Sequence, residues 1–471
     1  MIAISLAEIA KAIDGKLIIG GSGSQETLVS GSVETDSRLV KPGSLFFAKP
    51  GEVTDGHLFV PSAVQNGAIA AVVERHLPEQ NDIAQIIVKD VVLALGKLAG
   101  YVLQSIRAVS DLKVIGITGS NGKTTTKNML RAILSQVGET IAPIESYNNE
   151  VGAPYSMLQT TFDTKFLVVE LGAGGPGSIA YLTEIAKPNI GVVLKVGLAH
   201  VGEFGGIETT AKIKAELPAR LSANDLLILN GDDGYVRDMA ELTEAKKISF
   251  GTSGDADYRA TGHDLTIDGT AFELHWPDAE VSKLTLQILG EHHVMNALAA
   301  AAVSDQLGVS RAVITEALES MPLAERWRMQ TTHRSDGVTV INDAYNASPD
   351  STKAALQTLA HLGKSGRRTI AILGEMAELG HASREQHDAI GRTVVRLNID
   401  QLIVVGEAAK LIHMGAEQEG SWGGESKFFE SIDEALAFVR GMLMAGDIVL
   451  VKSSKSANLR HLGDDLLEVR S

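Results

Sequence analysis

Val114-Ile-Gly-Ile-Thr-Gly-Ser-Asn-Gly-Lys-Thr-Thr-Thr-Lys-Asn-Met-Leu130 runs from a β-branched strand through a glycine-rich turn into a helix. Val114, Ile115 and Ile117 form the strand, and Met129, Leu130, Ile133, Leu134 and Val137 recur behind it at helical spacing. The turn between them has the chemistry of a phosphate cradle. Gly119 and Gly122 let consecutive N–H groups face inward at a helix N-terminus, where unpaired donors and the helix dipole favour an anion. Lys123 adds a cation, and the Thr124 hydroxyl suits a Mg²⁺ shared with the phosphates. The spacing departs from the common P-loop, because Ile117 stands where a first glycine is usual.

Composition narrows the class. A chain of 471 residues exceeds one core and, at roughly 150 residues per domain, suggests about three. Lys and Arg total 42 against 58 Asp and Glu, a net charge of −16, which argues against bulk nucleic-acid binding. With no cysteine there are no disulfides, thiolate metal sites or cysteine nucleophiles. Met1–Glu8 lacks a basic lead, and Ser5 and Glu8 read as a capping box rather than part of a signal peptide. No apolar run reaches the roughly 20 residues of a membrane span, so a soluble, cytoplasmic protein without membrane insertion is expected.

The expected fold class is α/β in three domains. Residues 1–108 read as a small mixed α/β domain, punctuated by Asp36-Ser-Arg38, Lys41-Pro-Gly43 and Asp55-Gly-His57. Residues 109–325 alternate strand and helix around Phe166–Glu170, Ile190–Leu194 and Leu226–Asn230, whose continuous apolar runs predict a parallel sheet covered on both faces. Residues 326–471 begin the alternation afresh and predict a second doubly wound, Rossmann-like domain, with the joint near Met321-Pro322.

Ligands of open α/β sheets gather beyond the carboxyl ends of strands. Glu170 ends one strand and His200 follows another, so both are candidates to meet the phosphates, with Thr124, Glu170 and His200 as metal ligands. An end-of-strand carboxylate facing an open site is expected to carry few packing contacts. Lys214, in Ala211-Lys-Ile-Lys-Ala-Glu216, reads from pattern alone as a surface lysine, and Asn230-Gly-Asp-Asp233 as a turn. Arg326 and Asp343-Ala-Tyr-Asn346 fall near the start of the last domain, which suggests a site between two α/β domains.

Together these motifs resemble the Mur ligases, ATP-dependent amide-forming enzymes of peptidoglycan precursor synthesis. Thr118–Thr124, Glu170-Leu-Gly172 and Ala199-His200 are similar to motifs shared by the whole family. Asn342-Asp-Ala-Tyr-Asn-Ala-Ser-Pro349 and Leu373–Gly380 resemble the branch that adds D-Ala-D-Ala to a UDP-N-acetylmuramoyl-tripeptide through an acyl phosphate. The resemblance implies ATP and Mg²⁺ as cofactors and a monomer. ATP would be held by Gly119, Ser120, Asn121, Gly122, Lys123, Thr124, Thr125, Asn296, Arg326 and Asp343. Lys123, Glu170, His200 and Lys214 would be catalytic, and Lys214 would be carbamylated, which reverses the surface reading. Ser37, Arg38, Asn148, Asn149, Tyr345 and Asn346 would bind substrates. His293, Ser453 and Lys455 depart from the family pattern. The alternatives are a ligase of the same family with another acceptor, of the MurE or folylpolyglutamate synthase kind, and a nucleotide-binding protein without catalysis.

Overall fold

The strand Lys113–Thr118 lies inside a nine-stranded sheet. The computed structural model describes all residues except 22, 52–53, 144–145, 199–203, 322–325, 421–422 and 469–471. From one edge the order is Glu139–Ile141, Thr164–Glu170, Lys113–Thr118, Ile190–Val193, Leu226–Asn230 and Lys246–Gly251, all parallel. Tyr258–Thr266 continues in parallel, and Gly269–His275 and Val281–Leu286 then return as antiparallel ribbons. Sheet growth reverses at Lys113–Thr118: the next two strands lie on one side of it and the later ones on the other. Such a switch point opens a crevice at the carboxyl ends of the strands, and the glycine-rich turn enters it.

Period-two alternation assigns the sheet's two faces. Ile115, Ile117, Val168, Val192 and Ile228 enter one apolar cluster, while Val114, Leu167, Val169, Val193, Leu227 and Leu229 enter another. Both faces are covered, which is why these strands read as unbroken apolar runs.

The N-terminal sheet runs Lys16–Ile18, Ala84–Ile87, Ala70–Val73, Leu45–Phe47, Val33–Glu34, antiparallel at the first pair and parallel thereafter. The Ser5 and Glu8 capping box forms. Helix Val91–Arg107 does not close a separate core. Its Leu95, Leu98 and Val102 share one cluster with Leu167, Val169 and Leu182 of the central layer. At Gly96 a Cβ would lie 2.1 Å from the Tyr181 hydroxyl, so the glycine seats this helix on its neighbour. The first two segments therefore share apolar packing that local punctuation does not express.

The C-terminal sheet places Gln330–His333 antiparallel to Thr339–Asn342, followed in parallel by Ile448–Lys452, Thr369–Leu373, Gln401–Val405 and Ser426–Phe429. The last strand in sequence inserts beside the first of the parallel set. That insertion brings Asn342-Asp343 and Lys452-Ser453 to adjacent carboxyl ends, on the side facing the central domain.

Candidate functional site

The turn after Lys113–Thr118 adopts the conformation its glycines permit. Gly119 has φ +149° and Gly122 φ +90°, and a Cβ on Gly122 would fall 2.3 Å from Asn296 Oδ1. Helix Lys123–Leu134 starts there with no side-chain cap, so its first amides remain available to a ligand. Ser120–Thr125 line a cavity of ≈ 280 Å³ together with Ser146, Asn148, His293, Asn296, Arg328, Asp343, Tyr345, Asn346 and Lys452. The glycine-rich turn and the Asp343–Asn346 turn thus face one space. Lys123 Nζ donates to Gly119 O at 2.6 Å, folded over its own loop. Burial lowers its pKa, opposed by Glu170 and reinforced by Arg328.

Glu170 overturns the expectation of an open-site carboxylate. It is 2% exposed, and Lys127 Nζ lies 2.9 Å from its Oε1. Ser146 Oγ donates to Oε2 at 3.0 Å, and Thr124 Oγ1 lies 3.4 Å from Ser146 Oγ. Burial pushes the Glu170 carboxyl up, but the charges of Lys127 and Lys123 with these hydrogen bonds outweigh it and hold it below the ordinary range. Among the described residues no group of three or more His, Cys, Asp or Glu is placed to hold a metal ion. Thr124, Ser146 and Glu170 nonetheless make an all-oxygen set that fits Mg²⁺, which characteristically takes one or two protein ligands and completes its shell with phosphates and water. His200 lies outside the described residues.

Lys214, at the end of helix Ile207–Lys214, is 3% exposed, whereas Lys212 is exposed. The pattern-based surface reading fails because Lys214 shares its helix face with buried Thr210, one turn back. Burial, then repulsion from Lys123, lowers its pKa to about 7. A large share of this side chain is therefore a neutral amine near pH 7, with the P-loop lysine close enough to be felt.

On the facing side, Lys452 Nζ pairs with Asp343 Oδ2 at 2.5 Å and donates to Asn346 O at 3.0 Å, with 2% of its side chain exposed. Asp343 Oδ1 accepts from Met329 N at 3.0 Å. The Arg328 guanidinium stacks 4.0 Å from the Tyr345 ring centre, and Lys455 lies 5.7 Å from the same ring. Arg326, the arginine expected at the phosphates, is corrected by the structure. Its side chain is 67% exposed, pairs with Asp464 at 2.9 Å and stacks on Trp327. Trp327 and Met329 both take positive φ, +65° and +48°, and this irregular backbone turns Arg328 rather than Arg326 into the cavity.

Other expected residues separate in the same way. Asn148 lines the cavity, but Asn149 turns toward the start of helix Gly152–Met157, its Oδ1 accepting from Val151 N and Gly152 N. Ser37 is buried under Asn66, which donates to its carbonyl, and Arg38 is 85% exposed and paired with Asp36, so neither lines this cavity. His57 bridges Asp55 and the Glu74 amide. Asn230-Gly-Asp-Asp233 makes the expected turn and also braces its neighbours at the edge of a second cavity: Asn230 Nδ2 donates to Leu194 O, Asp232 accepts from Thr252 N and Ser253 N, and Asp233 caps helix Gly234–Asp238 and accepts from Val196 N. The departing His293 is buried with Nδ1 3.3 Å from Asn296 Nδ2, and Ser453 donates to its neighbour's carbonyl. The second cavity, of ≈ 550 Å³, lies beyond Gly122 and Asn296, walled by Leu194, Phe250 and Met295.

Three stretches match Mur ligase domains: residues 31–101 the family's catalytic domain, 117–304 the middle domain and 327–455 the glutamate ligase domain. The chain is 42% identical over 504 aligned residues to a Mycobacterium tuberculosis protein named UDP-N-acetylmuramoyl-tripeptide–D-alanyl-D-alanine ligase, covering 99% of this chain and 98% of that one. The chain belongs to the Mur ligase family. A crystal structure of MurF from Acinetobacter baumannii superposes on this Mur ligase with a TM-score of 0.89, at 32% identity and 99% coverage of both chains. MurF from Thermotoga maritima, solved in complex with ADP, superposes with a TM-score of 0.81, at 26% identity and covering 93% of this chain and 97% of that one. Lys127, Ser146, Arg328 and Lys452 join the site without having been singled out by sequence. A signal existed for Lys127, one helical turn beyond Lys123 and hence on the same face.

Proposed function

We infer that this Mur ligase joins D-Ala-D-Ala to UDP-N-acetylmuramoyl-tripeptide at the expense of ATP, the final step in making the pentapeptide precursor of peptidoglycan. Chain-length similarity to proteins named for that reaction carries the reading, and the cavity shared by Ser120–Thr125 and Asp343–Asn346 supplies a place for it. The Ser120–Thr125 amides and Lys123 hold the triphosphate, and Arg328 offers further positive charge from across the cleft. The apolar second cavity, with Asn296 at its rim, takes the base. Bound Mg²⁺, held by Thr124 and Glu170 with His200 serving a second ion, would supply charge neutralisation on the phosphates. Lys127 and Ser146 orient the Glu170 carboxylate for that role. The tripeptide carboxylate attacks the γ-phosphorus, the bond to the β-phosphate oxygen breaks and ADP leaves an acyl phosphate, and the amine of D-Ala-D-Ala then attacks the acyl carbon, expelling phosphate and losing a proton to give the amide. The Asp343–Lys452 pair fixes the Tyr345-Asn346 turn that faces the amine's approach, and closure of the domains keeps water from the acyl phosphate.

Lys214 works in this scheme as a carbamate. Its near-neutral pKa provides the free amine that adds CO₂, and the resulting anion sits favourably near Lys123. The first segment binds the UDP-sugar, with Ser37 and Arg38 as contacts. Among the described residues no helix is long and apolar enough to cross a membrane, and we place the reaction in the cytoplasm, carried out by a monomer. Phosphate release tests the reading: turnover with the tripeptide acceptor should require D-Ala-D-Ala. Turnover with an amino acid such as glutamate or diaminopimelate on a shorter acceptor, and none with the dipeptide, would replace it.

A further inference from the structure

The loop leaving strand Ile190–Val193 is held amide by amide. Leu194 N donates to Thr118 O at 3.0 Å, Val196 N to Asp233 Oδ2 at 3.0 Å and Gly197 N to Ser120 Oγ at 2.9 Å. Ser120 answers with its backbone N–H to Lys195 O at 2.8 Å and its hydroxyl to Gly197 O at 3.2 Å. These partners all belong to the central domain, and they knit the loop to the phosphate-binding turn. The next amide is different. Leu198 N donates to Asp350 Oδ2 at 2.7 Å, and Asp350 stands in the first turn of helix Pro349–Gly363, part of the C-terminal domain. Gly197 fits against the same carboxylate so closely that a Cβ there would lie 2.5 Å from Oδ2. A charge-assisted hydrogen bond between domains therefore lands one residue from the glycine that clamps the P-loop serine.

We propose that Asp350 is a positioning residue that couples the C-terminal domain to the phosphate loop. Holding Leu198 fixes Gly197, and Gly197 fixes Ser120 through two reciprocal hydrogen bonds. The path is short, two side-chain oxygens joined through the Gly197-Leu198 backbone, so it transmits displacement with little slack. Coupling of this kind is reciprocal: a phosphate ligand in the loop favours the docked C-terminal domain, and the docked domain favours the ligand. Nothing in this depends on which amine is the second substrate. An acidic residue in the first turn also favours its own helix by the dipole, but that role needs only a negative charge, whereas the observed geometry aims an acceptor oxygen at another domain.

The two roles separate experimentally in the full-length protein. Binding of a non-hydrolysable ATP analogue with Mg²⁺ is measured by calorimetry, and compaction on binding by small-angle scattering. Asp350→Asn keeps an acceptor but loses the charge, and should bind within about twofold of the parent protein. Asp350→Ala loses the acceptor and should bind about tenfold more weakly, within the usual range of coupling between sites, with reduced compaction. Gly197→Ala leaves Asp350 intact but sets a methyl against its carboxylate, and should reproduce the Asp350→Ala affinity from the other side of the contact. A dipole role instead makes Asn and Ala equivalent, lowering melting temperature alike without changing analogue affinity. That result, or parent-like affinity and compaction in both Asp350→Ala and Gly197→Ala, overturns the proposal.

Discussion

Replacing Glu170 with alanine should destabilise the central domain as well as abolish turnover. Both members of the Lys127–Glu170 pair are about 2% exposed, at a separation of 2.9 Å. Removing the carboxylate takes away a counter-charge 2.9 Å from a buried ammonium, and breaking a buried pair of this kind costs about 3–5 kcal/mol. With a urea m-value of roughly 2–3 kcal/mol/M for a domain of this size, the unfolding midpoint should fall by about 1–2 M. A three-domain chain need not unfold in one step, so the transition is best read by hydrogen exchange in peptides from Lys113–Leu134 across a urea series. The double change Glu170→Leu with Lys127→Met removes both charges and should recover most of the lost stability while remaining inactive. The acid limb follows with a definite sign. Glu170 titrates below its ordinary 4.5 in the folded protein, so its contribution is present above that value and is lost as pH falls through the lower folded value. Parent-like urea resistance in Glu170→Ala would show that the pair contributes nothing to stability and refute this reasoning.

Lys214 gives a pH dependence of the same sign in a higher window, in carbonate-free buffer. The folded amine titrates at about 7 and the unfolded one at 10.5, so the unfolded chain holds more protons between those values and stability should rise with pH across that window. Lys214→Met should flatten this slope and be the more stable protein at pH 7, as measured by urea midpoints from pH 7 to 10; superimposable curves would contradict the assignment. For activity, Lys214→Ala should lose most turnover and regain part of it with added short-chain carboxylates, whereas exposed Lys212→Ala should remain near normal in the same phosphate-release assay. Arg328→Ala should raise the KM for ATP by about tenfold or more, the scale of a charged hydrogen bond of 1.5–3 kcal/mol, while Arg326→Ala, whose partner is Asp464, should leave that KM within about twofold.

The stretch Val114–Leu130 was decisive because its information is local. A strand, two glycines at positive φ and a helix start without a cap are properties of consecutive residues, and the backbone geometry they require is written in their types. Continuous apolar runs likewise announced sheets covered on both faces, since burial on two sides leaves few polar positions in the middle of a strand. Contacts across long sequence separations were decided by the tertiary structure. Lys127 meets Glu170 because neighbouring parallel strands bring the end of Thr164–Glu170 beside the P-loop helix, and no local pattern encodes that registry. Arg326 and Arg328 are alike in type and two positions apart, and positive φ at Trp327 and Met329 chooses between them. Lys214 reads as a surface cation in its own helix and becomes a near-neutral buried amine because the fold removes its water and sets Lys123 nearby. Residue types along the chain determined the glycine-rich strand–turn–helix element and the layered α/β scaffold. Burial, charge proximity and side-chain direction emerged from packing, because each depends on residues the chain brings together from far apart.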